Sequence, residues 1–266
     1  MLAQANPNNG PIRVKELQRL ESEVLDLGSM VEIALVGSVD MLKRRDLAGA
    51  QQLITLHRRI NKKRFTIEMD CLTLIVTQQP LDGDLRVITS MMEIVSELER
   101  MGEYSRDIAR TPFMVIDGPL LALLVDIHAM ATKTQGMLHR ALQAFHQRDL
   151  VVARAIPAED GDVDALYSRV YQDLLAFMKD NAQAKGNSRA MVNQGRYLGR
   201  MARNLERIAD QVAHICGWVA FAVAGEMEVM ETDSAPVVAE HAVNRGAEYV
   251  PSEVPEASRG ESQSAA

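Results

Sequence analysis

Residues 198–219 read LGRMARNLERIADQVAHICGWV. Leu198, Met201, Leu205, Ile208, Val212, Ile215 and Val219 alternate three and four residues apart, the spacing that lines one face of an α-helix with apolar side chains. An earlier stretch keeps the same rhythm through Met91, Ile94, Leu98, Met101 and Ile108, with Ser105 in its one polar slot. Both stretches contain one hexad. Leu98-Glu99-Arg100-Met101-Gly102-Glu103 matches Leu205-Glu206-Arg207-Ile208-Ala209-Asp210 in residue type at every position, at a constant offset of 107. Two copies of one helical unit are the simplest reading.

Around these seams, helix-compatible sequence runs almost continuously to about residue 230. A first helix is expected over Val14–Arg45, closing on Lys43-Arg44-Arg45, cations that suit a helix C-terminus. Asp46 is placed to cap a second helix ending near Gln78. The turn Gln79-Pro80-Leu81-Asp82-Gly83-Asp84 leads into a third, which ends near Arg110. Thr111-Pro112 and Asp117-Gly118-Pro119 punctuate the midpoint. The second half repeats this plan. Its helix from Leu120 ends near Arg148, and Asp149-Leu150 restarts the chain as Asp46-Leu47 did. Pro157 requires a kink or break before Asp162 in a fifth helix that runs to about Asp180. After Lys185-Gly186-Asn187-Ser188 the sixth helix covers Arg189–Ala224. The early offset is 103 (46 to 149) and the later one 107, so the second half carries a short insertion. The expected fold is all-α: two tandem three-helix bundles of six long antiparallel helices, residues 14–112 and 117–230. Residues 1–13 and the acidic tail 231–266 are expected to be disordered.

Composition narrows the function classes. Few aromatics (4%) and 15 methionines suit helices packed by aliphatic and thioether side chains. The two cysteines, Cys71 and Cys216, sit in different halves and form no paired motif, which argues against disulfide scaffolds and thiolate zinc sites. The start resembles no secretory signal, and the longest uncharged apolar run, Gly217–Gly225, is too short to span a bilayer. A soluble, cytoplasmic protein is expected. The net charge of −7 resides in the tail, where Glu226–Ala266 hold nine acids and two arginines, leaving 27 charges of each sign elsewhere. A neutral body argues against a nucleic-acid partner, which requires a concentrated basic surface. The one basic cluster, Arg58, Arg59, Lys62, Lys63 and Arg64, reads as a solvated helix face or a docking patch for an acidic partner. The apolar end of the sixth helix, Trp218–Val223, reads as core between the bundles or as a dimer or docking surface.

The hexads themselves carry the chemistry. Each sets two carboxylates four residues apart, stacked one helical turn above the other, where like charges repel by roughly 0.2–0.5 kcal/mol. At 100° per residue, Glu99 lies roughly 130–140° from the centre of its seam and Glu103 close to 180°. Both are therefore expected to face away from the bundle core. Another step of four adds Asp107 in the first copy and His214 in the second. The result is two outward ladders, Glu99-Glu103-Asp107 and Glu206-Asp210-His214, able to hold divalent or trivalent metal ions such as iron, zinc, manganese or magnesium. Ordinary pairing with Arg100, Arg106, Arg203 and Arg207 is the plainer alternative.

Catalytic signatures are missing. There is no Glu-x-x-His for a buried di-iron centre, no phosphate-binding glycine loop, no His-Glu-x-x-His and no nucleophile elbow. His128, His139 and His146 have no ligand-like neighbour in sequence and read as surface or core residues. The chain is not expected to be an enzyme, although a metal-dependent enzyme or metal store using the same carboxylates stays open.

The hexads, taken with Cys71-Leu72-Thr73-Leu74-Ile75, Gln78-Gln79-Pro80-Leu81-x-x-Asp84-Leu85-Arg86 and Ile215-Cys216, resemble the PhoU family of phosphate-transport regulators over about Leu20–Glu228. The resemblance implies tandem three-helix bundles, a cytoplasmic and often dimeric protein, and one acidic-x-x-x-acidic motif per repeat that binds metal clusters. It also implies a negative regulator linking the ATP-binding subunit of a phosphate ABC transporter to a sensor histidine kinase, with only peripheral contact to membrane proteins. Carried across, the motif falls on Glu99 and Glu103, and on Glu206 and Asp210. This chain departs from the family pattern at Glu103, where Asp is usual, and at Asp107 and His214, where Asn is common. It departs again at His57, where an acid often precedes Ile60-Asn61, and at Lys63-Arg64, where the family has Leu-Glu.

Overall fold

The computed structural model describes residues 10–110, 120–181 and 188–227, which are helical almost throughout and include no strand. The helices are α1 (Gly10–Arg44), α2 (Leu47–Gln78), α3 (Asp82–Ala109), α4 (Leu120–Gln147), α5 (Leu150–Ala155), α6 (Asp160–Asn181) and α7 (Ser188–Ala224). A 3₁₀ turn, Ile156–Glu159, with Pro157 in its first turn, joins α5 to α6 and supplies the expected break. The expectation that residues 1–13 are disordered is corrected at its end, because α1 begins at Gly10. Pro11 suits that first turn, where a missing N–H costs nothing. The expected disorder of the tail, 231–266, lies outside the described residues, as do the midpoint prolines and most of the 185–188 turn.

The restarts at Asp46 and Asp149 are built identically. Arg45 and Arg148 both turn left-handed at φ 56°. The next backbone N–H then reaches back to close the preceding helix, Asp46 to the Met41 carbonyl and Asp149 to that of Ala144, each at 2.9 Å. Each aspartate caps the following helix. Asp46 Oδ1 accepts from Gly49 N at 2.9 Å, and Asp149 Oδ1 from Val151 N and Val152 N at 3.0 Å.

Within the first half α1, α2 and α3 pack on one another, and in the second α4, α6 and α7 do the same. Two helix pairs join the halves, α1 with α4 and α3 with α7. The α3–α7 contact is antiparallel. Ser90 Oγ donates to the Trp218 carbonyl at 3.0 Å, His214 Nδ1 lies 3.7 Å from Glu97 Oε1, and the Arg207 guanidinium stands 5.9 Å from the Tyr104 ring centre. Arg200 then reaches Asp107 at 3.4 Å. Partner numbers fall along α7 as they rise along α3, which is the signature of a pseudo-two-fold relation between repeats. Val219 and Ala220 are buried here and Trp218 packs edge-on to Phe221, so the apolar end of the last helix is core between the halves.

The α1–α4 contact is also antiparallel, and it accounts for three histidines. His128 pairs with Asp40 at 3.5 Å, His139 with Glu32 at 3.2 Å and His146 with Glu21 at 3.9 Å. Apolar residues from both halves form one continuous core. At Gly28 the Leu142 side chain fills the space beside the glycine, so that an added Cβ would stand 2.2 Å from Leu142 Cδ1. Gly28→Val is therefore expected to cost about 1–3 kcal/mol by overpacking. Gly136→Ala, on α4 with nothing within 4 Å of the new methyl, should stabilise by up to about 1 kcal/mol. Urea denaturation measures both, and a Gly28→Val variant as stable as the parent would contradict this α1–α4 approach.

Candidate metal centre

The repeats can be superposed residue by residue. Between α2 and α6 the offset is 103, and burial follows it: His57 and Asp160, Ile60 and Val163, Ile67 and Val170, Cys71 and Leu174 are all buried. Between α3 and α7 the hexad offset of 107 applies. In each half the hexad helix packs against the preceding helix, α3 against α2 and α7 against α6. The carboxylates therefore meet side chains from a neighbouring helix.

In the second repeat they meet two more carboxylates, which the sequence reading did not single out. Asp160 is 0% exposed, and neither Oδ1 nor Oδ2 has a hydrogen-bond partner. Burial, reinforced by the charges of Asp164, Asp210 and Glu206, pushes its carboxyl up to about 7. Glu206 is pushed up to about 7 by burial and then by Asp210, and its buried Oε2 likewise lacks a partner. Burial raises Asp164 and Asp210 as well, with His214, Arg203 and Arg207 easing the charge on Asp210. The neighbouring acids behave differently. Glu159 forms a bidentate pair with Arg140, which holds it below the usual carboxylate range, and Asp162 pairs with Lys133. The charges of these four carboxylates thus act on one another across the packed α6–α7 pair, and two of the four keep buried oxygens that nothing satisfies. Among the described residues, no three donors already close on one point. The donor set is all oxygen, which suits hard ions such as iron(III), manganese(II) or magnesium.

The first repeat is arranged otherwise, and the outward orientation expected of its ladder is corrected. Glu99 is turned towards α2, its side chain only 19% exposed. Its Oε1 accepts from Asn61 Nδ2 at 3.3 Å and lies 3.4 Å from His57 Nε2. Glu206 is likewise partly buried against its neighbour. The angular reading failed because α3 packs on α1, α2 and α7 together, so a direction far from its main seam still meets protein. Glu103 does face solvent, at 50% exposure, and pairs with Arg106 at 3.0 Å. The third rungs turn towards the other repeat. Asp107 bonds Arg106 and Arg200, and the His214 imidazole is raised chiefly by its hydrogen bond to Glu97. Glu97, buried and also held by Arg100 at 3.3 Å, has no sequence signal beyond its place next to the seam.

A second feature lies on the opposite face of α2. Phe65, Met69, Leu72 and Val76, between 43% and 76% exposed, form a stripe at helical spacing. Arg58 and Lys62 continue it towards the N-terminus. Both are exposed and have no ion-pair partner among the described residues, unlike Lys63, paired with Glu23, and Arg64, paired with Glu68. The positions related by the repeat on α6 are Gly161, Ala165, Ser168, Gln172, Leu175 and Lys179. The stripe belongs to one repeat alone.

Comparison with known proteins agrees with the repeated helical fold. The PhoU domain model matches twice, over residues 24–111 and 127–219. The phosphate-specific transport system accessory protein PhoU of Serratia marcescens is 29% identical over 211 residues, spanning 79% of this chain and 84% of that protein. The PhoU homologue of Clostridium acetobutylicum is 30% identical over 212 residues, spanning 79% and 94%. The crystal structure of the phosphate transport system regulatory protein PhoU from Streptococcus pneumoniae superposes with a TM-score of 0.71 at 27% identity, covering 81% of this chain and 99% of that one. PhoU from Pseudomonas aeruginosa gives 0.72 at 27% identity, covering 80% and 99%. The chain belongs to the PhoU family. No helix among the described residues is long and apolar enough to cross a membrane.

The raised carboxyls set a pH dependence. Asp160 and Glu206 start from 3.8 and 4.5 and are pushed up to about 7 in the fold, so between those values the native state binds the extra protons. Their stabilisation is complete below about pH 4 and is lost as pH rises through 7. Chelator-treated protein should melt several degrees higher at pH 5 than at pH 8, and Asp160→Asn with Glu206→Gln should remove most of that slope. The remainder belongs to Asp164, Asp210 and His214, all raised and acting in the same direction. A melting temperature that rises with pH would contradict this account.

Proposed function

We propose that this chain is a negative regulator of phosphate uptake and phosphate-starvation signalling. It acts in the cytoplasm as an adaptor between the ATP-binding subunit of a phosphate ABC transporter and a sensor histidine kinase. The relatives named as phosphate transport accessory and regulatory proteins support the pathway. The observation that carries the adaptor role is the α2 stripe. Four exposed apolar side chains next to two unpaired cations are costly to leave in water, and their counterparts on α6 are mostly small or polar. Such a face suits an amphipathic partner segment bearing acids at one end. We read the chain as non-catalytic, in keeping with relatives named as accessory and regulatory proteins.

The same reading assigns metal binding to the second repeat. Asp160, Asp164, Glu206 and Asp210 would hold the ion, with iron, manganese or magnesium favoured over zinc by the all-oxygen donors. The ion would add to the positive charge of Arg203 and Arg207, which leaves the carboxyls of all four groups still raised.

Met69→Glu with Leu72→Glu should leave helicity intact, because both sites are exposed, and should reduce copurification with the transporter's ATP-binding subunit at least tenfold. Gln172→Glu with Leu175→Glu, the matched change on α6, should have no such effect. Deleting the gene in its source cell tests the role itself: starvation genes that stay repressed in rich phosphate would sink the regulator reading.

A further inference from the structure

The two hexads differ in what surrounds them, and the repeat supplies an internal control. Asp160 and Asp164 of α6 correspond to His57 and Asn61 of α2, and Ala213 of α7 corresponds to Arg106 of α3. Each difference acts in the same direction. Where the second repeat offers two further carboxylates to Glu206 and Asp210, the first offers Glu99 a neutral amide at 3.3 Å and an imidazole at 3.4 Å. Where the second repeat has a methyl group, the first extends a guanidinium that bonds both Glu103 and Asp107 at 3.0 Å. Among the described residues the orphaned buried carboxylate oxygens, Asp160 Oδ1 and Oδ2 and Glu206 Oε2, belong to the second repeat, whereas the unpartnered atom at the equivalent place in the first is a neutral-capable ring nitrogen, His57 Nε2.

We infer that metal binding in this chain is one-sided: the second repeat carries the metal, and the first has replaced it with protein donors, Asn61 and Arg106, beside the imidazole of His57. A metal ion at Glu99 and Glu103 would have to displace Arg106 and would gain one neutral amide oxygen and one imidazole in place of two carboxylates. Ligand charge count, together with site rigidity, tunes a hard cation's affinity for an oxygen site. The first hexad therefore keeps its carboxylates as a structural clasp. Glu99 ties α3 to α2, and Asp107, through Arg200, ties α3 to α7. The tie to Glu99 crosses a packed surface, since a Cβ on Gly102 would stand 3.2 Å from Ile60 and 3.7 Å from His57.

This inference rests on the metal-binding role proposed for the second repeat, and one experiment separates the two. The full chain, stripped with chelator, is titrated with manganese(II) alone. Free ion is followed by electron paramagnetic resonance and bound ion by elemental analysis, with circular dichroism as the folding control. One set of sites per chain is expected, weakened at least tenfold by Asp160→Asn with Glu206→Gln. Glu99→Gln with Glu103→Gln should change it by less than twofold. Converting the first repeat to the second with His57→Asp, Asn61→Asp and Arg106→Ala should double the manganese bound per chain. If the Glu99/Glu103 variant instead loses half the metal, the one-sided assignment is wrong while metal binding stands. If the parent chain binds no manganese, the metal reading itself fails. Should the triple variant not fold, the Glu99/Glu103 result still decides.

Discussion

The antiparallel packing of α3 on α7 governs most of what this molecule can do. Each of these helices is shared among several neighbours, so its buried face is broad and few positions remain in water. Acidic residues at four-residue spacing on such a helix cannot all be surface groups. Some are driven against the flanking helix, where desolvation far exceeds the few tenths of a kcal/mol that separate like charges on an exposed turn. A buried carboxylate must then find a donor, keep its proton or recruit a cation. The two repeats answer that requirement differently.

The remaining polar groups show how ordinary the rest of the surface is. Glu159 with Arg140, Asp126 with Arg169 and Asp70 with Arg19 are exposed pairs that add little to stability. Both cysteines are buried, and burial pushes their thiols up to about 12, which leaves them protonated and unreactive at neutral pH. Against that background, the unsatisfied oxygens of Asp160 and Glu206 mark a place where charge has been concentrated.

Helix positions were legible in the sequence because the three-four periodicity of α3 and α7 and the Asp46 and Asp149 caps are local signals. The break at Pro157 was legible for the same reason. The site was only half legible. Glu206 and Asp210 stand in a repeated hexad, but Asp160 and Asp164 lie on another helix, among acids at 159, 160, 162 and 164 that look alike in one dimension. The offset of 103 from His57 and Asn61 was the signal that could have separated them. Orientation failed where it depended on neighbours. Glu99 is placed by its angle to one seam and Asp107 and His214 by a further step of four, and the contacts with α2 and across the repeat interface cannot be read from one helix.

The near-symmetry of the two halves has a consequence for how such a molecule changes. Two identical chains related by a true two-fold axis must accept every substitution twice, once on each side. Here the two related surfaces are encoded separately, because one polypeptide supplies both halves of the α3–α7 contact. A residue can change in one half while its counterpart stays fixed, and the shared core continues to hold the pair in register. Duplication within a single chain thus frees each half to specialise without giving up the interface that joins them.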